Sequence, residues 1–215
     1  PLKGQAFRDS LRASWGTLSQ ASWVDIPKAL VADILKRPAP WLFFLVLFVP
    51  LFRKRHSMRL AIGEIGDKVS NPSSDRFFFT AQVLVLTILL ALPVPMVLGF
   101  LGWRLQETLD VSDFGRAVGK ALWVLGPLLF YLKFLRLLCA RKGLGEAHFG
   151  WSSDAMRLLR KELAWYLAIS LPLTFVLVVL WSVPGVEQGR GERLVFIAAM
   201  LVMAVVIFRV MRPTG

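Results

Sequence analysis

Uncharged apolar runs, cut by short polar stretches, set the frame of this chain. The longest covers residues 77–103, with no Asp, Glu, Lys, Arg or His between Arg76 and Arg104. At about 1.5 Å of rise per residue, a helix of that length exceeds the roughly 30 Å of a hydrocarbon core. Pro93 and Pro95 interrupt its distal half. In lipid, the carbonyls they free must be met by neighbouring helices, hydroxyls or water. The run predicts a kinked transmembrane helix that packs against others.

Four more runs follow the same logic. Residues 39–52 lie between Lys36–Arg37 and the cluster Arg53, Lys54, Arg55 and His56. As a helix this run reaches only about 21 Å, so it spans with snorkelling flanks or a thinned bilayer. Its rival reading is a re-entrant or interfacial helix. Run 117–138 contains Pro127 and carries Lys133 and Arg136 on its last turns, where both must snorkel. Runs 163–183, with Pro172 inside, and 194–211, closed by Arg209, complete five spans. The predicted kink points are Pro93, Pro95, Pro127 and Pro172. Trp41, Trp103, Trp123, Trp165 and Trp181 stand near run ends, the pattern of an interfacial aromatic belt. Gly115 and Gly119 form a GxxxG spacing that is common by chance and carries little weight.

The polar stretches have their own periodicity. In residues 1–37, Phe7, Leu11, Trp15 and Leu18 recur at helical spacing. Ile26, Leu30, Val31, Ile34 and Leu35 do so after Asp25, a candidate N-cap with Pro27 in the first turn. These predict two short amphipathic helices on the membrane face, or a linker helix against a soluble neighbour. In residues 53–76, Met58, Ile62, Ile65 and Val69 share one face, which predicts a surface-lying connector ending in a turn at residues 71–74. The fold class is all-α integral membrane, with about five transmembrane helices and short amphipathic interfacial helices. Residues 1–37 form a linker and residues 38–212 a multi-helix membrane domain.

Composition agrees: 56% of residues are hydrophobic, eight are Trp, and the mean hydropathy is +0.59. A net charge of +12 in a soluble chain would point to nucleic acid, but here Lys and Arg sit in short stretches between apolar runs. They are topology signals, and nucleic-acid binding is set aside. Stretches 53–76 and 133–162 hold six and seven Lys or Arg and the tail holds two, against three in 104–120 and two in 184–193. The richer group belongs in the cytoplasm. The N-terminus is then outside, periplasmic in a bacterium, and the C-terminus cytoplasmic, which needs an odd number of spans. The six cations of residues 1–37 oppose this mildly; a long translocated region would escape the rule. The chain starts at Pro1 without an initiator Met and stops at Gly215 just after an apolar run, so it is expected to be a piece of something larger.

Candidate chemistry is sparse. No carboxylate lies inside the five predicted spans, which argues against a proton-coupled transporter or pump. His56 and His148 have no partners at metal-ligand spacing, and Asp110 and Asp113 read as a solvated loop. Cys139, the single cysteine, reads as a packing residue at a span end. No nucleophile–His–acid constellation or phosphate-cradling glycine motif appears. The expectation is no enzyme, no cofactor and no metal. Arg53, Lys54, Arg55, Lys133, Arg136, Arg141, Lys142 and Arg209 are the expected topology and lipid anchors, with membrane lipids as partners.

The stretch after the third run reads Leu137-Leu138-Cys139-Ala140-Arg141-Lys142-Gly143-Leu144-Gly145-Glu146-Ala147-His148-Phe149-Gly150-Trp151. This resembles the membrane region of the large MscK/MscM-type proteins of the MscS superfamily of mechanosensitive channels. There a similar Leu-Cys, Gly-Leu and His-Phe-x-Trp string joins two spans. The stretches around Pro93–Pro95 and Leu171-Pro172-Leu173 are similar too, and the resemblance covers about residues 38–212. The family-like loop motif comprises Leu138, Cys139, Gly143, Leu144, His148, Phe149 and Trp151. The resemblance implies a homo-oligomer, a heptamer, in a bacterial inner membrane. It also implies a periplasmic region ahead and a pore helix and vestibule later, where permeating ions pass. On that basis residues 38–212 are expected to be the peripheral tension-sensing helices. The alternatives are a non-conducting membrane scaffold or part of a small-molecule transporter.

Overall fold

The computed structural model describes residues 23–69, 76–108, 111–140, 145, 151–183 and 190–211. Its elements are α1 (Asp25–Lys36), α2 (Pro38–Arg53), α3 (Arg55–Val69), α4 (Arg76–Ala91), α5 (Pro93–Glu107), α6 (Asp113–Leu138), α7 (Ser153–Ser182) and α8 (Arg190–Met211). Among the described residues there is no strand.

Three helices are each long and apolar enough to cross a membrane: α6, α7 and the Arg193–Met211 part of α8. Two bent pairs reach that length together, α1 with α2 at 98° and Phe78–Ala91 with α5 at 49°. By length and composition, the described residues therefore hold three to five candidate membrane spans.

Prolines account for the bends in both pairs. The residue before a proline avoids helical geometry. Arg37 stands at φ −139° and ψ 73°, so α1 stops and α2 restarts on Pro38. The run 77–103 is not one helix: it divides at Leu92. Pro93 and Pro95 cannot donate to the carbonyls of Leu89 and Ala91, and helical bonding resumes with Met96 N–H donating to the Leu92 carbonyl at 2.9 Å. By contrast α6 and α7 pass through Pro127 and Pro172 as continuous helices, as α2 does through Pro50.

Two helices extend beyond their uncharged runs. The α6 helix starts at Asp113 because the Ser112 hydroxyl accepts the Gly115 N–H at 3.1 Å, and Asp113 lies in the positive first turn. The α7 helix starts at Ser153 and takes in the cations Arg157, Arg160 and Lys161. Three cations of the basic stretch 133–162 thus lie on a helix. At α1, Asp25 is the first helical residue, not the cap, and no side chain caps the preceding Val24.

The α6 helix is the axis, packing against α4, α5 and α7, while α8 packs on α7 and α2 on α5. Around its N-terminal half, Phe114, Ala117, Val118 and Ala121 form a core with Ala29 of α1, Leu105 of α5 and Val179 of α7. At its other end Leu138 packs beside Ile65 of α3 and Val83 of α4. The α5–α6 crossing is backbone on backbone. A Cβ at Gly102 would stand 2.5 Å from the Trp123 nitrogen and 2.7 Å from the Gly119 carbonyl oxygen. One at Gly119 would stand 2.8 Å from Leu105 Cβ. Gly119, half of the discounted GxxxG spacing, sits in this contact, whereas Gly115 faces Val111 next to its own helix start.

Gly102→Ala is expected to destabilise the protein by about 1–3 kcal/mol, because backbone atoms of α6 must move. Gly99→Ala, where a Cβ meets nothing within 4 Å, is expected to be neutral or to gain up to about 1 kcal/mol of helix propensity. Thermal unfolding of the intact protein in detergent measures both, and equal losses at the two sites would remove the crossing from its proposed role.

Candidate functional site: polar clasps and a basic cavity at the helix ends

Asp33 lies on the inward edge of α1, four positions beyond Ala29. Arg104 Nε donates to its Oδ2 at 2.9 Å, Arg104 Nη2 to its Oδ1 at 2.6 Å, and Trp41 Nε1 to Oδ2 at 2.9 Å. Asp33 and Arg104 are each 3% exposed, so this bidentate pair is shielded from water and strong for that reason. The Arg104 guanidinium also lies 5.0 Å from the Trp103 ring centre. Thr108 Oγ1 donates to the Arg104 carbonyl at 2.7 Å. The Trp41 ring meets Phe100 edge-on at 5.0 Å, and Phe44 stacks on Phe100 at 4.1 Å. The 98° elbow between α1 and α2 is therefore tied to α5 by one carboxylate, one guanidinium and a small aromatic cluster.

A second clasp joins α7 to α8. Arg209 Nη2 lies 3.1 Å from Glu162 Oε1 and over the Trp165 ring at 5.8 Å. Glu162 is buried and Arg209 half exposed; Glu162 Oε2 is buried without a hydrogen-bond partner among the described residues. A lone buried carboxylate oxygen raises the stakes of this contact, since losing Arg209 strands the charge.

Near the C-terminal end of α6, a cavity of about 570 Å³ opens between α3, α4, α6 and α7. Among the described residues, Arg55, Arg59, Lys133, Arg136 and Arg160 line it, and no carboxylate does. Lys133 feels the charges of Arg55, Arg59 and Arg136. Among the described residues, no three His, Cys, Asp or Glu side chains are grouped so as to hold a metal ion. The arrangement is mechanical and electrostatic, with ties between helices and a concentration of positive charge.

A family model described as mechanosensitive ion channel inner membrane domain 1 matches residues 38–215. The chain belongs to the mechanosensitive ion channel family. The miniconductance mechanosensitive channel MscM of Escherichia coli (strain K12) is 28% identical over 140 residues, 65% of this chain and 13% of that protein. The matched stretch thus spans about an eighth of that relative's length. No solved structure matches the chain. A match to the inner membrane domain, together with several apolar helices, makes this a multi-pass inner-membrane protein of a channel family, not of an enzyme family.

Within this channel domain the sequence-derived residues are dispersed. Arg53 and Lys54 are exposed at the α2–α3 junction, while Arg55, Lys133 and Arg136 gather at the cavity. Arg209 is held by Glu162. Of the family-like loop, Leu138, Cys139 and Trp151 are described. Cys139 is a buried free thiol. A Cβ at Gly145 would meet the Trp151 ring, the Leu138 carbonyl and Met156 within 3.2 Å. Arg141, Lys142, Gly143, Leu144, His148 and Phe149 lie outside the described residues, as do the helix expected around Phe7–Leu18 and the turn at residues 71–74. Trp103, Trp123 and Trp181 are exposed, whereas Trp41 is committed to Asp33.

Sequence reasoning missed the two clasps. It counted Arg104 only as one of three cations in the stretch 104–120, but the structure buries it on Asp33. A signal existed: Ile26, Ala29, Leu30 and Asp33 share one face by helical spacing, so a carboxylate on the packing edge of α1 needed a cation. The apolar Val31, Ile34 and Leu35 instead stay exposed.

Asp33→Ala or Arg104→Ala alone is expected to cost about 3–5 kcal/mol, because each strands a buried charge. The double change Asp33→Leu/Arg104→Met should recover most of that loss. Unfolding in detergent reads the three variants, and a double variant no better than either single one would contradict the pairing argument.

Proposed function

We propose that residues 38–212 are the peripheral tension-sensing helices of a mechanosensitive channel, with the pore helix and vestibule outside this stretch. The carrying observation is the state of the outer helices. The α2 helix buries no residue, and α8 leaves Phe196, Ile197, Met200, Leu201 and Phe208 exposed. Such helices present apolar surface on nearly every side, to lipid or to a neighbouring subunit.

Lateral tension does work equal to tension times the change in in-plane area, so it favours whichever arrangement of helices occupies more membrane. Bent pairs and a short first span fit an undisturbed bilayer poorly, and flattening them gains area. The exposed Val31, Ile34 and Leu35 of α1 suit a helix lying at the interface. Five cations of stretches 53–76 and 133–162 line one cavity, which supports placing both stretches on one side, the cytoplasmic one by their charge, with the N-terminus periplasmic. Movement then passes towards the pore through the α8 end, where Arg209 clasps Glu162. Assembly as a heptamer, and Arg53 and Lys54 as headgroup anchors, complete this reading.

A pressure-ramp patch clamp on the intact protein tests it. Removal of residues 1–215, once insertion and assembly are verified, is expected to shift the opening threshold. Arg209→Gln should raise the threshold by a smaller amount. Thresholds identical to the unaltered channel in both cases would reduce these helices to scaffold.

A further inference from the structure

The basic cavity has no place in the tension argument, and its composition calls for an occupant. Arg55 and Arg59 come from α3, Lys133 and Arg136 from α6, and Arg160 from α7. The fold thus brings five cations together from three separate helices. Among the described residues none of the five is in an ion pair; the carboxylates that are paired, Asp25, Asp33, Asp154 and Glu162, face other partners. Converging like charges oppose folding unless an anion offsets them.

The cavity's shape and remaining walls narrow the choice of anion. Its volume of about 570 Å³ lies within the range of small-ligand sites. Four guanidinium groups and one ammonium match the geometry of phosphate oxygens. Ile62, Leu90 and Leu137 supply apolar walls beside the charges. The site lies where α6, a membrane-spanning helix, ends. A charged head over an apolar wall at a span end is the environment of a phospholipid at the edge of a leaflet.

We infer that this cavity binds the phosphate headgroup of an acidic phospholipid, its acyl chains lying along the apolar wall. The site needs only the membrane location of the protein and not its gating.

The test is native mass spectrometry of the intact protein released from nanodiscs of equal phosphatidylglycerol and phosphatidylcholine. Phosphatidylglycerol should be retained in preference. Arg59→Gln, at an exposed position, should weaken retention roughly fivefold, and each further neutralisation at Lys133 or Arg136 by a similar factor. Arg59→Lys/Arg136→Lys, which keeps the charge, should retain the lipid. Equal retention of the two lipids, or retention unchanged by Arg59→Gln with Lys133→Gln, overturns the assignment. In a second arm, lipid-stripped protein is titrated with inorganic phosphate. Tight, Arg59-dependent binding of free phosphate without any preference between the lipids would make the cavity a soluble-anion site and overturn the lipid.

Discussion

Everything in this bundle depends on how closely α5 and α6 approach. In lipid there is little hydrophobic drive to bring helices together, so association rests on van der Waals contact and polar ties, and small residues set the distance. Gly102 and Gly119 let the two backbones touch. That contact fixes α6 as a strut. It also carries Leu105 into the core with Ala117 and Ala121, which in turn seats α1 and α7. A wider crossing would move Arg104 away from Asp33, and the elbow between α1 and α2 would lose its tie.

The polar groups are distributed by the same logic. A charge in an apolar environment is tolerated only when paired or at an interface. Asp33 and Arg104 lie at the end of the bundle where α6 begins. Glu162, Arg209 and the five-cation cavity lie towards the end where it finishes. Between them, along about 25 Å of helix from Ala117 to Lys133, the core contacts of α6 are apolar or small. The chain thus concentrates its directional interactions in two layers and leaves the middle to packing.

Much of this could be read in the sequence, because the length of an uncharged run is a direct physical requirement for crossing a bilayer. The run at 163–183 ends one residue past α7, the run at 194–211 falls within α8, and the proline pair marks the break between α4 and α5. Helix ends were harder to read, since a charged residue ends an uncharged run without ending a helix: α7 continues upstream through Arg160 and Arg157. Pairings were harder still. Arg104 and Asp33 are 71 positions apart, and nothing in a single run reveals which distant carboxylate a cation meets. The cavity has the same origin, since Arg55 and Arg160 become neighbours only once α3 and α7 are both packed near α6 and α4. Count and sign of charge were legible, but their convergence was not.

The two kinds of helix in the bundle answer different mechanical demands. The α5–α6 crossing is backbone on backbone, so sliding or tilting there meets a steep repulsion within a few tenths of an ångström. The outer helices are attached differently. The α2 helix leans on α5 through Trp41, Phe44 and Phe100, and α8 is tied near its end by Arg209 on Glu162. Aromatic faces and a half-exposed guanidinium tolerate changes of angle that a glycine contact does not. If tension acts on this domain, the compliant joints are therefore the α2–α5 and α7–α8 contacts, with the α5–α6 pair as the fixed frame against which they turn. Packed on α7 and clasped near its end, α8 would turn about that clasp under in-plane stretching. That rotation is what a chain continuing beyond α8 would receive.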